Sequence, residues 1–215
     1  MRGAHLPGFY IMGPEKGRMD INYGRPHGRE DWDAIRELCG RTAEQGKGIP
    51  VERWPFFGEY WVGPYQRILP RWTYVARDAD RIAGYLTGCP DTASFERWSL
   101  LAHRLPLFLK TVMGLYPANE DTRRFVRRFL VLEKSPFSQA LFGRYPAHLH
   151  VNVDEAYRGA RVGKSLLQLY FEDLRKAGVP GVHLVCGNRP VGFYEKLGFR
   201  TLARADQVFA MGLPL

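Results

Sequence analysis

Cysteine is scarce in this 215-residue chain. The three present, Cys39, Cys89 and Cys186, are odd in number and widely spaced. They form no CxxC pair and no metal-ligand spacing, which excludes a disulfide framework and points to a reducing, cytoplasmic setting. Long apolar runs are also missing. A bilayer span needs ~20 mainly apolar residues, and the most apolar stretch, residues 98–116, is broken by His103, Arg104, Pro106 and Lys110. No membrane span is expected. The first 19 residues are rich in glycine and proline and hold no apolar core ahead of a small-residue cleavage site, so no secretory leader is expected. Acidic side chains are the minority: 22 Asp and Glu against 31 Lys and Arg leave a formal charge of +9. That surplus favours anionic partners without choosing among a phosphorylated cofactor, nucleic acid, an acidic protein or a membrane surface. Nucleic acid gains no support from any recognition motif.

What remains is a globular composition, 45% apolar and 25% charged, at a length that suits one domain. Residues 1–18 read as an irregular arm and 19–215 as a single domain. Residues 19–23 alternate and predict a first strand. A helix is predicted over 31–40, with Asp31 as its cap and Gly40 as its stop. Residues 46–72 are aromatic and punctuated by glycine and proline. They read either as a wrap around the core edge or as a loop that binds a substrate against large, rotor-poor side chains. Residues 72–76 and 81–87 predict a hairpin about the turn at 78–80. Residues 92–142 read as a long, mostly helical insertion whose Arg123, Arg124, Arg127 and Arg128 form one basic face. In the last third, residues 148–153 alternate as a strand. Residues 159–177 predict a helix from Val162, Leu166, Tyr170 and Leu174, capped by Gly178. Residues 181–186 predict the strand after that crossover, 191–197 a short helix ended by Gly198, and 208–211 a closing strand. Strand, crossover helix and strand make a parallel βαβ unit.

The turn between the first strand and the helix of that unit carries the chemistry. A helix start leaves main-chain N–H groups unpaired and adds partial positive charge. Small residues open the approach, and Arg158, Arg161 and Lys164 add full charges, so the turn suits a pyrophosphate. A P-loop needs its first glycine at 158, where Arg158 stands. A G-x-G-x-x-G run is absent.

Arg158-Gly159-Ala160-Arg161-Val162-Gly163 instead resembles the Q/R-x-x-G-x-G/A pyrophosphate turn of the GNAT acetyltransferases, with Arg161 where the family has its central glycine. Phe193-Tyr194-Glu195-Lys196-Leu197-Gly198-Phe199 resembles the family's F-Y-x-x-x-G-F signature at the right separation. The motif match covers about 148–200. Tyr60-Trp61-Val62-Gly63-Pro64-Tyr65, Ile82-Ala83-Gly84-Tyr85-Leu86, Pro90-Asp91-Thr92 and Tyr145-Pro146-Ala147-His148-Leu149-His150 are similar to a narrower branch, the acetyltransferase-like domain found with O-GlcNAc hydrolases.

The resemblance implies an α/β fold: a twisted mixed sheet with splayed strands four and five, flanked by helices, with a helical insertion before strand four. It implies acetyl-CoA as acyl donor and an amine, on a small molecule or a protein, as acceptor, by direct attack. The pantetheine would meet Val151 and Val153, and the diphosphate would meet Arg158, Gly159, Ala160, Arg161, Val162, Gly163, Lys164 and Ser165. The family often places an asparagine seven residues before the tyrosine. Position 187 is glycine, so either the loop is one residue shorter and Asn188 makes that cofactor contact, or the asparagine is absent. Tyr194 corresponds to the family's tyrosine acid. No carboxylate base is evident; His150, on one strand face with His148 and Asn152, and His183, on the neighbouring strand, are the candidate bases. His148 with His150 lacks a third ligand, so no metal is expected. A homodimer is compatible with the resemblance. The rival reading is a catalytically inactive acetyl-CoA-binding or protein-interaction module, since branch members need not turn over substrate.

Overall fold

A computed structural model describes residues 20–117, 119–126, 137 and 142–215. The irregular arm at 1–18 and the basic pair Arg127 and Arg128 lie outside the described residues. The strands are β1 (Ile21–Gly24), β2 (Thr73–Asp78), β3 (Arg81–Cys89), β4 (Ala147–Val153), β5 (Gly181–Gly187), β6 (Arg200–Ala205) and β7 (Val208–Pro214). They form one sheet in the order β1-β2-β3-β4-β5-β7-β6. Every pairing is antiparallel except β4 with β5, as a crossover helix between them requires.

That crossover is α6 (Val162–Lys176). Val162, Leu166, Tyr170 and Leu174 are buried against Leu86, Leu149, Val182 and Met211 in the main core. The Tyr170 hydroxyl accepts from the Cys89 N–H at 3.1 Å and donates to the His148 carbonyl at 2.7 Å, so the helix is pinned to both central strands. A short helix, α7 (Val191–Glu195), adds Tyr194 to the same core.

The opposite face is covered by α1 (Gly28–Gly46) and α2 (Trp54–Ile68). Trp32, Ile35, Leu38 and Val62 pack there on Val75, Ile82 and Tyr85 of the sheet. The described part of the insertion is helical: α3 (Thr92–Ser99), a π turn (Leu100–Arg104), α4 (Leu105–Val112) and α5 (Glu120–Val126). It leans on α2 through Phe56, Leu107 and Val126. No described helix is long and apolar enough to cross a membrane.

Four local expectations change. α1 runs from Gly28 to Gly46, so Asp31 lies in its first turn rather than at its cap. Gly40 is inside that helix rather than at its stop, and a Cβ there would stand 2.5 Å from the Trp54 ring, so the glycine makes room for it. Residues 54–68 are a helix, not a loop. Their glycines serve close approach: a Cβ on Gly58 would stand 2.8 Å from Cβ of Arg36 on α1. The crossover helix begins at Val162 rather than at Gly159, because Gly159 (φ +86) and Arg161 (φ +63) take left-handed conformations that no α-helix contains. β6 was not anticipated. It is an edge strand whose residues are mostly exposed or half-buried, so it lacks the apolar alternation of a covered strand.

Candidate active site

β4 and β5 are paired only at Ala147↔Val182 and His148↔His183. Beyond that point each strand keeps only its outer neighbour. Residues Leu149 to Val153 pair with β3, and Leu184 to Gly187 pair with β7. The inner edges diverge into a cleft of about 1010 Å³. Main-chain groups of β4 that face this gap have no strand partner, which leaves an edge that an extended ligand can join.

The cleft runs to the N-terminus of α6. Asp154 caps the turn there, accepting the Ala156 N–H at 3.1 Å, and the Ala160 N–H donates to the Tyr157 carbonyl at 3.2 Å. The first helical bond runs from the Ser165 N–H to the Arg161 carbonyl at 3.0 Å. The N–H groups of Val162, Gly163 and Lys164 therefore have no acceptor within the helix. They open towards the cleft with the positive end of the helix dipole. A Cβ on Gly163 would lie 3.5 Å from both Phe193 and Val153, so any longer side chain there enters the cleft. Arg158, Gly159, Arg161 and Lys164 also line it. These residues fit a diphosphate: free N–H donors, three cations and no side chain at 163. Val151 and Val153 line the cleft along β4. Ala160 and Ser165 belong to the turn but not to the cleft wall.

Tyr194 lines the cleft from α7, its ring packed edge-on to Phe193 (5.2 Å) and Phe199 (5.6 Å). Burial pushes its phenol well above the usual range, so it stays a proton donor. His150 lines the opposite wall, stacked on Trp61 at 5.3 Å. Burial lowers its pKa to about 4, so the ring is neutral near pH 7. The Asn152 amide nitrogen stands 3.2 Å from His150 Nε2 and 2.9 Å from the Tyr85 hydroxyl.

His183 is placed elsewhere. It sits at the closed end of the V, stacked on Phe142 at 4.0 Å, with Nδ1 donating to the Tyr145 carbonyl at 2.6 Å. It is not in the cleft wall. Burial lowers its pKa. Its neighbour His148 is held by the Tyr65 hydroxyl at Nε2 and Thr92 Oγ1 at Nδ1, both at 2.8 Å. The Thr92 hydroxyl donates to the Pro146 carbonyl, so His148 is the Nδ1–H tautomer with both nitrogens used. Burial lowers its pKa to about 3. The Asn188 amide donates to Gln207 Oε1 at 2.7 Å and lies outside the cleft wall, whereas its neighbours Arg189 and Pro190 are in it.

The cleft also contains Cys39 and Thr42 of α1, which were not expected there, and Phe57 and Trp61 of α2, from the aromatic segment for which a substrate-binding role was one of two readings. The aromatic density of 54–61 was the available signal. The helical phase that turns Phe57 and Trp61 to one side was not read.

The Acetyltransferase (GNAT) domain profile matches residues 126–201. A glucosamine 6-phosphate N-acetyltransferase from Trypanosoma brucei brucei is 31% identical over 124 residues, 57% of this chain and 81% of that protein. The crystal structure of SsHAT superposes with a TM-score of 0.69 at 25% identity, over 90% of this chain and 98% of that one. The PaiA N-acetyltransferase from Thermoplasma acidophilum, in complex with coenzyme A, shares the fold with a TM-score of 0.55 at 13% identity, over 92% and 100%. The splayed parallel pair, the turn at its mouth and the trypanosomal relative, 31% identical and matched over 81% of its length, agree: the chain belongs to the GNAT family of N-acetyltransferases.

Proposed function

We propose that this protein moves the acetyl group of acetyl-CoA to an amine that enters from the α1–α2 side of the cleft. The observation that carries the reading is the unpaired β4 edge ending on three free helix N–H groups flanked by Arg158, Arg161 and Lys164. Main-chain groups at Val151 and Val153 hold the pantetheine. The turn from Arg158 to Ser165 holds the diphosphate, while Asn188, bonded to Gln207 outside the cleft wall, takes no part. Acetyl-CoA supplies an electrophilic thioester carbonyl.

The residues of this chain do the rest. Neutral His150 takes the amine proton on Nε2, where the Asn152 N–H bond is replaced by the incoming amine. His183, sealed behind the closed end with Nδ1 on the Tyr145 carbonyl, takes no part in this reading. A β4 main-chain N–H near Val151 stabilises the oxygen that gains charge. Tyr194 gives its proton to the departing sulfur as the carbon–sulfur bond breaks and the carbon–nitrogen bond forms. Phe57 and Trp61 offer the acceptor an apolar wall.

The reading takes 19–215 as one catalytic domain with 92–142 inserted before β4. Placement in the branch found with O-GlcNAc hydrolases rests on the segments at 60–65, 82–86 and 145–150. A cytoplasmic setting rests on the three free cysteines.

Calorimetry with acetyl-CoA followed by thiol release across an amine panel tests the proposal. Tyr194→Phe is expected to lower turnover by about 10²-fold while donor affinity holds. Unchanged turnover removes Tyr194 as the acid, and an absence of donor binding ends the reading.

A further inference from the structure

A second cavity of about 450 Å³ opens beside the turn, and Arg158, Thr42 and Gly46 line both it and the cleft. Its wall brings together the C-terminal end of α1, the start of β3 and the β4–α6 turn. Four cations converge there, Arg41, Lys47, Arg81 and Arg158, against two carboxylates, Asp154 and Glu155. Asp154 is saturated. One oxygen caps the turn, and the other meets Arg81 at 2.9 Å and Arg41 at 3.1 Å. Glu155 is 3.8 Å from Arg158 and highly exposed. Glu37, 3.8 Å from Arg41 Nε, and Glu44, 3.5 Å from Arg53, lie outside the cavity wall. Arg41 Nε is buried without a hydrogen-bond partner. Lys47 is exposed and makes no ion pair with the described residues. The wall thus carries two surplus positive charges.

The backbone is shaped for this. Gly46 takes φ +90, and a Cβ there would stand 2.5 Å from Arg158 Nη2, so the glycine makes the space that the guanidinium occupies.

We propose that this annex binds a phosphomonoester. Such a group carries roughly −1.5 to −2 charge at pH 7, which the surplus matches, and guanidinium groups suit its oxygens. The ester has two chemical sources at this address: the 3′-phosphate of coenzyme A, or a phosphate on the acceptor amine. The donor source rests on the cleft being an acyl-CoA site; the acceptor source needs only that the annex adjoins it.

The experiment has two calorimetric arms on the full chain: coenzyme A against dephospho-coenzyme A, and glucosamine 6-phosphate against glucosamine. One pair is expected to differ by about tenfold or more in affinity, and that pair identifies the source. Lys47→Gln, at an exposed side chain outside the catalytic cleft, and Arg158→Gln are each expected to shrink the gap. Two equal pairs overturn the annex even if coenzyme A binds well. So does a gap that neither substitution moves, since the phosphate then sits elsewhere. If neither coenzyme A nor its dephospho form binds, the acyl-CoA reading falls, while the amino-sugar arm still decides the annex.

Discussion

The two faces of the sheet are built from different chemistry. On the α6 face, β3 and β4 present Ala83, Leu86, Leu149 and Val151 to a helix seam of Val162, Leu166, Tyr170 and Leu174. On the α1–α2 face the same two strands present Tyr85, Thr87, His148, His150 and Asn152. Several buried polar atoms there, Thr73 Oγ1, Thr87 Oγ1 and Trp61 Nε1 among them, have no hydrogen-bond partner. Burying unpaired polar groups costs stability. One face is built for packing, and on the function proposed above it anchors the helix whose start receives the donor. The other holds neutral, desolvated side chains beside the proposed acceptor side of the cleft. Breaking each face should fail in its own way: the first loses donor binding or stability, the second loses chemistry and acid tolerance.

The largest separation is expected from Gly163→Glu. A carboxylate at the second position of α6 favours the helix dipole, so the variant stays folded. The side chain projects between Val153 and Phe193 into the diphosphate's place and repels it. Donor affinity should fall more than about 10²-fold with an unchanged melting temperature. Unaltered affinity would remove the turn as the donor site.

Gly88→Ala strikes the same face through packing. The added Cβ would stand 2.3 Å from the Tyr170 ring, which is locked between two strands by its hydroxyl. Overpacking of a rigid site costs about 1–3 kcal/mol, read as a lower urea midpoint. A loss of donor affinity beyond the fraction unfolded would mean that the seam also tunes the cleft.

These glycines show what a sequence discloses and what it hides. The seam of α6 was legible because apolar residues recur every four positions, and the turn was legible because small and basic residues meet at a helix start. α2 was not. Gly58, Gly63 and Pro64 look like breakers, yet Gly58 lets Arg36 of α1 approach and Pro64 is accommodated within the helix. The alternation of β4 correctly put His148, His150 and Asn152 on one face. It could not say where β4 and β5 part. That point lies one pair beyond His148↔His183, so His150 reaches the cleft while His183 is sealed behind it. Divergence of two strands is a tertiary property, set by what packs on each, and no local pattern encodes it.

The histidine face should show itself in acid. On that face His150 has a pKa near 4 and His148 near 3, and His103, in the π turn of the insertion, is also near 4, against about 6.5 unfolded. Between pH 6.5 and 4 the unfolded chain binds protons that the folded chain refuses, so stability is complete above pH 6.5 and declines as pH falls through this window. Each histidine contributes a slope of up to ~1.4 kcal/mol per pH unit. His150→Phe should keep the stack on Trp61, flatten the slope and lower turnover by about 10²-fold. A flat stability profile in the parent protein would show that these rings are solvated. Full turnover in the variant would remove His150 as the base.

The smallest effect sharpens the comparison at the seam between the faces. Arg161 holds φ +63, a conformation that costs a non-glycine residue on the order of 1 kcal/mol. Arg161→Gly removes that strain but frees the unfolded chain and deletes one cation from the cleft mouth. Stability should rise by about 0.5 kcal/mol or less, while donor affinity falls a few-fold and loses part of its salt dependence. If affinity rises instead, the guanidinium obstructs the turn. The free N–H groups of Val162, Gly163 and Lys164 would then carry the diphosphate without its help.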